Sequence, residues 1–317
     1  MRSQVPNSSP GDRWGISGII LTLVFFGRAF SPVLGVNEGI MMNFGVKSRK
    51  KLRSALAWIF PLVGALSQVG ALEAHALPAG GWDYSAGFGA RSLPFGAAFN
   101  VQGGWNQTLW GDAKDGGALG YGLIRPAARV QTSGLTSSGE ARVGLYPIPI
   151  LGVNAGVTAS YRNISALHTL SCETFECSGL LTGRYIQPRA VIGYGSVFLT
   201  ASYRIHQITD QVGERPFAEE NSTLAGSLGG DTLNSLELIA GYRASDQDQL
   251  LALWTRQKMQ ESLTENQFFM FAVRHQFEGS LWSMIAGAGA YESSTQRWGP
   301  AFALVTQWTP VLSWELF

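Results

Sequence analysis

From Trp82 onward the chain can be cut into about twelve short segments in which apolar and polar residues alternate, and this period of two constrains the fold more than any other feature. The clearest is Ser196 to His206. Val197, Leu199, Ala201 and Tyr203 make one face, and Ser196, Thr200, Ser202, Arg204 and His206 make most of the other, with Phe198 the exception. Leu236, Leu238, Ala240 and Tyr242 repeat the pattern against Glu237, Gly241 and Arg243, and Phe269, Phe271 and Val273 stand against Met270, Ala272 and Arg274. Such a segment is a strand with one apolar and one polar face, because successive side chains point to opposite sides of a sheet.

The other segments fall near 82–91, 96–110, 118–132, 138–147, 150–162, 179–192, 249–260, 280–292 and from about 299 to the terminus. No stretch shows an amphipathic helix. Ile148-Pro149 breaks one apolar run, and Tyr194-Gly195 and Glu278-Gly279 are natural hairpin turns. Connection lengths alternate. Asn163 to Ser178 and Thr209 to Gly230 are long, whereas Gly193 to Gly195, Ser245 to Asp248 and Glu278-Gly279 are short. Short turns on one side and long loops on the other are expected of an up-and-down barrel with both termini on the short-turn side. The fold expected is all-β: an antiparallel up-and-down transmembrane barrel of about twelve strands, or ten or fourteen if a hairpin has been split or merged.

Alternation alone does not say which face is outside, and a soluble sandwich or lipocalin-like barrel would turn the apolar face inward. Arginines recur on the faces opposite the apolar ones, beside Gly and Ser, which suits a polar lumen. Tyr161, Tyr203, Tyr242 and Tyr291 sit towards strand ends, where aromatic rings favour a membrane interface. The chain also ends in Ser313-Trp314-Glu315-Leu316-Phe317. That terminal Phe317 resembles the C-terminal aromatic signature of proteins inserted by the bacterial outer-membrane assembly machinery. The resemblance covers the final strand and implies an outer-membrane location with that machinery as a partner.

The N-terminal part has a different character. Lys47, Arg49, Lys50, Lys51 and Arg53 form a basic region, Ala55 to Leu66 an apolar one, and Ala74-His75-Ala76 an A-x-A cleavage site with Leu77 as the mature start. Pro61 and Gly64 interrupt the apolar run, which is shorter than the roughly 20 residues a spanning helix needs. Residues 42–76 therefore read as a signal peptide addressed to the Sec translocon, and 77–317 as the barrel. Residues 1–41 read as an upstream translated segment or a disordered extension. Glu38-Gly39 can be encoded by a purine-rich ribosome-binding sequence just ahead of Met41 and Met42, which favours a start at Met42.

The expected mature chain carries nineteen acidic residues against fifteen basic ones and no basic patch, which argues against nucleic acid as a partner. Outer-membrane lipid and lipopolysaccharide are the expected surroundings. Cys172 and Cys177 lie in one polar stretch and are expected to form a disulfide that pins a small loop. No zinc spacing, nucleotide fingerprint or repeat appears, so neither a metal nor a cofactor is expected.

Candidates for the lumen lining are Arg125, Arg129, Arg142, Arg204, Arg243, Arg256, Arg274, Glu140 and Glu237. Inward arginines could ease the passage of anions. They could equally pair with the acids and close the interior as a rigid network. A narrow channel for small, anionic solutes is thus expected. The alternatives are a non-catalytic surface or envelope-structural barrel and a lipid-acting hydrolase. For hydrolysis the nearest constellations are His168 with Ser171 and His206 with Asp210, and neither carries a motif. The loop from Asp210 to Asp231, rich in Ser, Gly and acidic residues, reads as exposed and mobile.

Overall fold

A computed structural model of the chain describes residues 80–310 apart from 93–94, 112–119, 165–169, 212, 220–221 and 295. Twelve strands close into a barrel: β1 (Gly80–Ser92), β2 (Phe95–Gly111), β3 (Tyr121–Thr132), β4 (Thr136–Ile148), β5 (Leu151–Asn163), β6 (Ser178–Tyr194), β7 (Val197–Asp210), β10 (Gly230–Arg243), β11 (Asp248–Met259), β12 (Glu265–Gln276), β13 (Trp282–Ser293) and β14 (Gln296–Trp308). Each pairs antiparallel with its sequence neighbour, and β1 pairs with β14, as in Ala86 with Trp308, so the barrel has no free edge. Two short strands, β8 (Ala218–Glu219) and β9 (Leu224–Ala225), pair with each other inside the connection from β7 to β10.

The period of two is realised with the apolar side outward. On β7, Leu199 and Tyr203 are exposed on the outer face, whereas Thr200 is 2% exposed and Ser202 7%. Val130, Val157, Ile186, Tyr242, Phe271 and Leu304 extend this apolar exterior around other strands. Tyr161, Tyr203 and Tyr242 also face out, but Tyr291 does not. It is 1% exposed and its hydroxyl meets Thr223 Oγ1 at 2.7 Å. The alternation of β13 sends that ring inward, so its place near a strand end does not make it interfacial.

The two ends differ. At one end the connections 149–150, 195–196, 244–247 and 277–281 are short; at the other, 164–177 and 211–229 are long. The longer loops fold over and into their end of the barrel. Phe217 and Leu224 pack with Leu181, Ile208, Leu233 and Met259, the inward apolar residues of four strands. The stretch expected to be exposed and mobile is therefore buried through Phe217, Ala218 and Leu224, because its few apolar residues find partners inside the rim. Gly226 permits this closeness: a Cβ there would lie 2.2 Å from the Phe217 ring.

Arg162 on β5 fastens the arrangement. Its guanidinium donates to the carbonyls of Glu176, Ser178 and Ala218, and lies 3.8 Å from Asp210. Cys172 and Cys177 form the expected disulfide in the 164–177 loop. That loop packs through Leu170 and Cys177 on Ala218 and Ala225. Arg215 reaches back to Glu176 at 3.2 Å and to the Glu173 carbonyl. Burial at the other end comes from the strands themselves. Tyr121, Leu123 and Tyr146 form an apolar cluster, and the Tyr146 ring occupies space that side chains at Gly144 and Gly152 would fill.

Ala76, Leu77 and Phe317, the cleavage and assembly positions, lie outside the described residues, as do residues 1–41 and 42–76.

Candidate functional site

Between these ends the barrel encloses a chamber of about 990 Å³. Its wall mixes polar and apolar surface: Leu181, Ile208, Leu233, Leu253 and Phe268 line it beside small and hydrogen-bonding side chains. Arg91, Arg129, Arg204, Glu140, Glu219 and Glu237 supply the charge, and His206 and Tyr291 also face it. Glu219 comes from the inserted loop, where its carboxylate accepts from the backbone N–H of Ser222. Arg91 and Glu219 attract each other across this space. Neither was legible as a lumen residue: Arg91 lies at the end of a segment with weak alternation, and Glu219 sits in a loop that sequence alone places outside.

The centre of the wall is an ion cluster. Glu140 on β4 accepts from Tyr185 Oη at 2.6 Å, from Arg204 Nη2 at 3.2 Å and from Arg142 Nη1. The Arg204 guanidinium stacks 3.6 Å above the Tyr185 ring, a cation–π contact that fixes it against the wall. Two arginines thus share one carboxylate. His206 meets Thr158 Oγ1 at 2.9 Å and stands edge-on to Tyr185. Asp210 turns to Arg162 and the Gly213 N–H instead, so His206 and Asp210 form no hydrolytic pair; His168 lies outside the described residues.

The remaining candidates separate by position. Arg125 is buried below the chamber, donating to Asp83 from Nε at 2.9 Å and from Nη2 at 2.5 Å, and Asn106 donates to the same carboxylate. Arg243 and Arg274 lie on inward positions towards the short-turn end and do not line the chamber. Arg256 is a correction. Leu253, Thr255 and Gln257 face the chamber, so strand parity turns Arg256 outward, where it pairs with Glu265 at 3.0 Å with nearly half its side chain exposed. Its charge suggested the lumen, but it lies near the long-loop end of β11, where an outward charge can reach water. Among the described residues no group of three or more His, Cys, Asp or Glu is placed to hold a metal ion.

No family model matches this chain, and neither does any curated protein sequence. Among solved structures it is similar to a KdgM porin, at 8% identity and a TM-score of 0.38 over 71% of this chain and 98% of that one. A NanC porin gives 8% identity and 0.40 over 71% and 98%, and an outer-membrane OmpT of Vibrio cholerae gives 11% and 0.39 over 73% and 98%. At such values nothing about those proteins' solutes or activities carries over.

Proposed function

We propose that the chain is an outer-membrane β-barrel that admits small polar solutes to a narrow lumen. The observation that carries this reading is a chamber of about 990 Å³, with charged side chains on its wall, inside a closed barrel whose outer face is apolar. A closed sheet satisfies its backbone polar groups internally, so it can place a water-filled interior within hydrocarbon. Export by the Sec route, insertion by the outer-membrane assembly machinery and an environment of lipopolysaccharide belong to the same reading. The leader pattern and Phe317 support them.

The chamber itself gives little reason to favour anions. Arg142 and Arg204 are balanced by Glu140, and Glu219 and Glu237 bring further negative charge to the wall. Entry is narrowed by the inserted loop, so any conductance is small. Planar-bilayer recording on purified, detergent-folded protein tests the proposal. Discrete small steps that grow when Phe217 is replaced by Ala support it. An electrically silent protein, silent also in the Phe217→Ala variant, contradicts it and leaves the envelope-structural reading.

The chain acts in this account without catalysis. Thr158 and His206 touch, but His206 and Asp210 turn to different partners. Altered phospholipid or lipid A profiles on overexpression would overturn that part.

A further inference from the structure

Over the whole chamber wall arginines and carboxylates are even in number, but they are not evenly placed. One arc, from β3 to β7, holds the Glu140 carboxylate among three arginines. Arg142 and Arg204 bond to it, and Arg129 on β3 stands directly across from it in the sheet register. The other chamber carboxylates are engaged elsewhere. Glu219 accepts from the Ser222 N–H at 2.6 Å and is attracted to Arg91, and Glu237 on β10 is attracted to Arg189. The arc therefore carries an excess of positive charge that a bound anion would offset.

Arg204 is the arm best placed to take such an anion. Among the described residues its one hydrogen bond runs from Nη2 to Glu140, and its Nε has none. The guanidinium lies 3.6 Å above the Tyr185 ring, which is itself anchored through Oη to Glu140. One face of the group is thus covered, while 26% of the side chain stays exposed on the chamber wall. A guanidinium presents its donors in a rigid planar fork that matches the two oxygens of a carboxylate. Holding the fork in place beforehand lowers the ordering cost of binding.

The far wall has the opposite character. In the closed strand order β12 is six strands from β4 in either direction, so Phe268 on β12 faces the arginine arc across the lumen. Leu253 on β11 and Val305 on β14 line the chamber to either side of it. A solute held by a carboxylate at Arg204 therefore meets apolar surface with its other end. A bare inorganic anion leaves that surface in water, and a neutral apolar molecule leaves the arginines uncompensated. The turn joining β3 to β4 also lines the chamber, through Ser133, Leu135 and Thr136, so the chamber reaches the rim beside the arc.

We propose that the chamber binds a small organic acid with an aryl or alkyl body. Arg204 and Arg129 hold its carboxylate, and the wall around Phe268 packs its body. The inference rests on the reading of the chamber as a lumen that admits small solutes, and it names the class of solute.

The test is titration calorimetry of benzoate against the full, detergent-folded chain, with benzamide as the uncharged control and acetate as the control without a ring. Saturable one-to-one benzoate binding is expected, with acetate several-fold weaker and benzamide unbound. Arg204→Gln should weaken benzoate at least tenfold, Arg204→Lys should recover part of the loss, and Phe268→Ala should weaken benzoate several-fold while leaving acetate unchanged. Absence of benzoate binding to the unaltered chain would overturn the proposal, as would equal binding of benzamide or acetate, or unchanged benzoate binding by folded Arg204→Gln. Should Arg204→Gln not fold, unchanged binding by Arg129→Gln and Phe268→Ala overturns it. The experiment needs no conductance. Binding without conductance would therefore sink the channel reading alone, and conductance without binding this inference alone.

Discussion

The two ends of the barrel are closed by different means. At the long-loop end the burial comes from chain outside the sheet: Phe217 and Leu224 drop onto Leu181, Ile208, Leu233 and Met259, and Arg162 clamps the loop by its carbonyls. At the short-turn end it comes from the strands, through Tyr146 over two glycines and through Asp83 between Arg125 and Asn106. A loop can lift away while the sheet stays paired, whereas a buried side chain on a strand cannot leave without disturbing the sheet. The first end is therefore where local opening belongs, and the second is where barrel stability is concentrated.

The contrast can be broken most strongly at the short-turn end. Replacing Asp83 by Asn leaves Arg125 as an uncompensated buried charge, and a loss of about 3–5 kcal/mol is expected. Urea unfolding of the barrel in lipid should show it as a shifted midpoint for the whole transition. A shift confined to loop proteolysis would contradict the assignment.

Phe217→Ala should cost about 3 kcal/mol, the lower part of the range for a buried phenylalanine, because a loop can partly re-pack. Here the loss should fall on the loop: faster protease nicking between 211 and 229, with the global unfolding midpoint barely moved. Equal displacement of both would erase the distinction between the ends.

Removing the disulfide by Cys172→Ser with Cys177→Ser should cost about 2 kcal/mol in the chain-entropy account, since the ring is short. Nicking in 164–177 should rise, and nicking in 211–229 should rise less, because Leu170 and Cys177 support Ala218 and Ala225. Limited proteolysis followed by mass spectrometry reads both.

The smallest effect concerns pH. The Glu176 carboxyl in the 164–177 loop is held below its ordinary value, first by the Ser178 hydroxyl that donates to it and then by Arg215. A depressed folded-state value means stabilisation that is full above the ordinary carboxylate range and lost as pH falls through the lowered one. Loop nicking should therefore increase slightly on acidification, and Glu176→Gln should remove part of that dependence. An identical pH profile in the variant would count against the contact.

Much of the sheet was legible in the sequence because a period of two leaves an unambiguous trace wherever the faces differ in polarity. Ser196 to His206 and Phe269 to Arg274 show this, and the long and short connections set the parity of twelve strands. The trace weakens on β11, where Leu250, Leu251, Leu253 and Trp254 put apolar residues on both faces, so alternation there does not fix the direction of Arg256. The inserted loop left no trace at all. Phe217 and Leu224 are isolated apolar residues among Gly, Ser and Glu, and only the inward residues of four distant strands give them a place to be buried. Glu219 became part of the chamber for the same reason, whereas Arg91 lies at the end of a strand whose alternation is weak.

The direct test of the central claim is a scan along β7 with a fluorophore attached to single cysteines from Val197 to Asp210 in vesicles containing brominated lipid. Quenching should peak at Leu199, Tyr203 and Ile205 and fall at Thr200, Ser202 and Arg204. Quenching at the second set, or no period of two, would contradict a barrel that shows its apolar face to lipid and its polar face to the lumen.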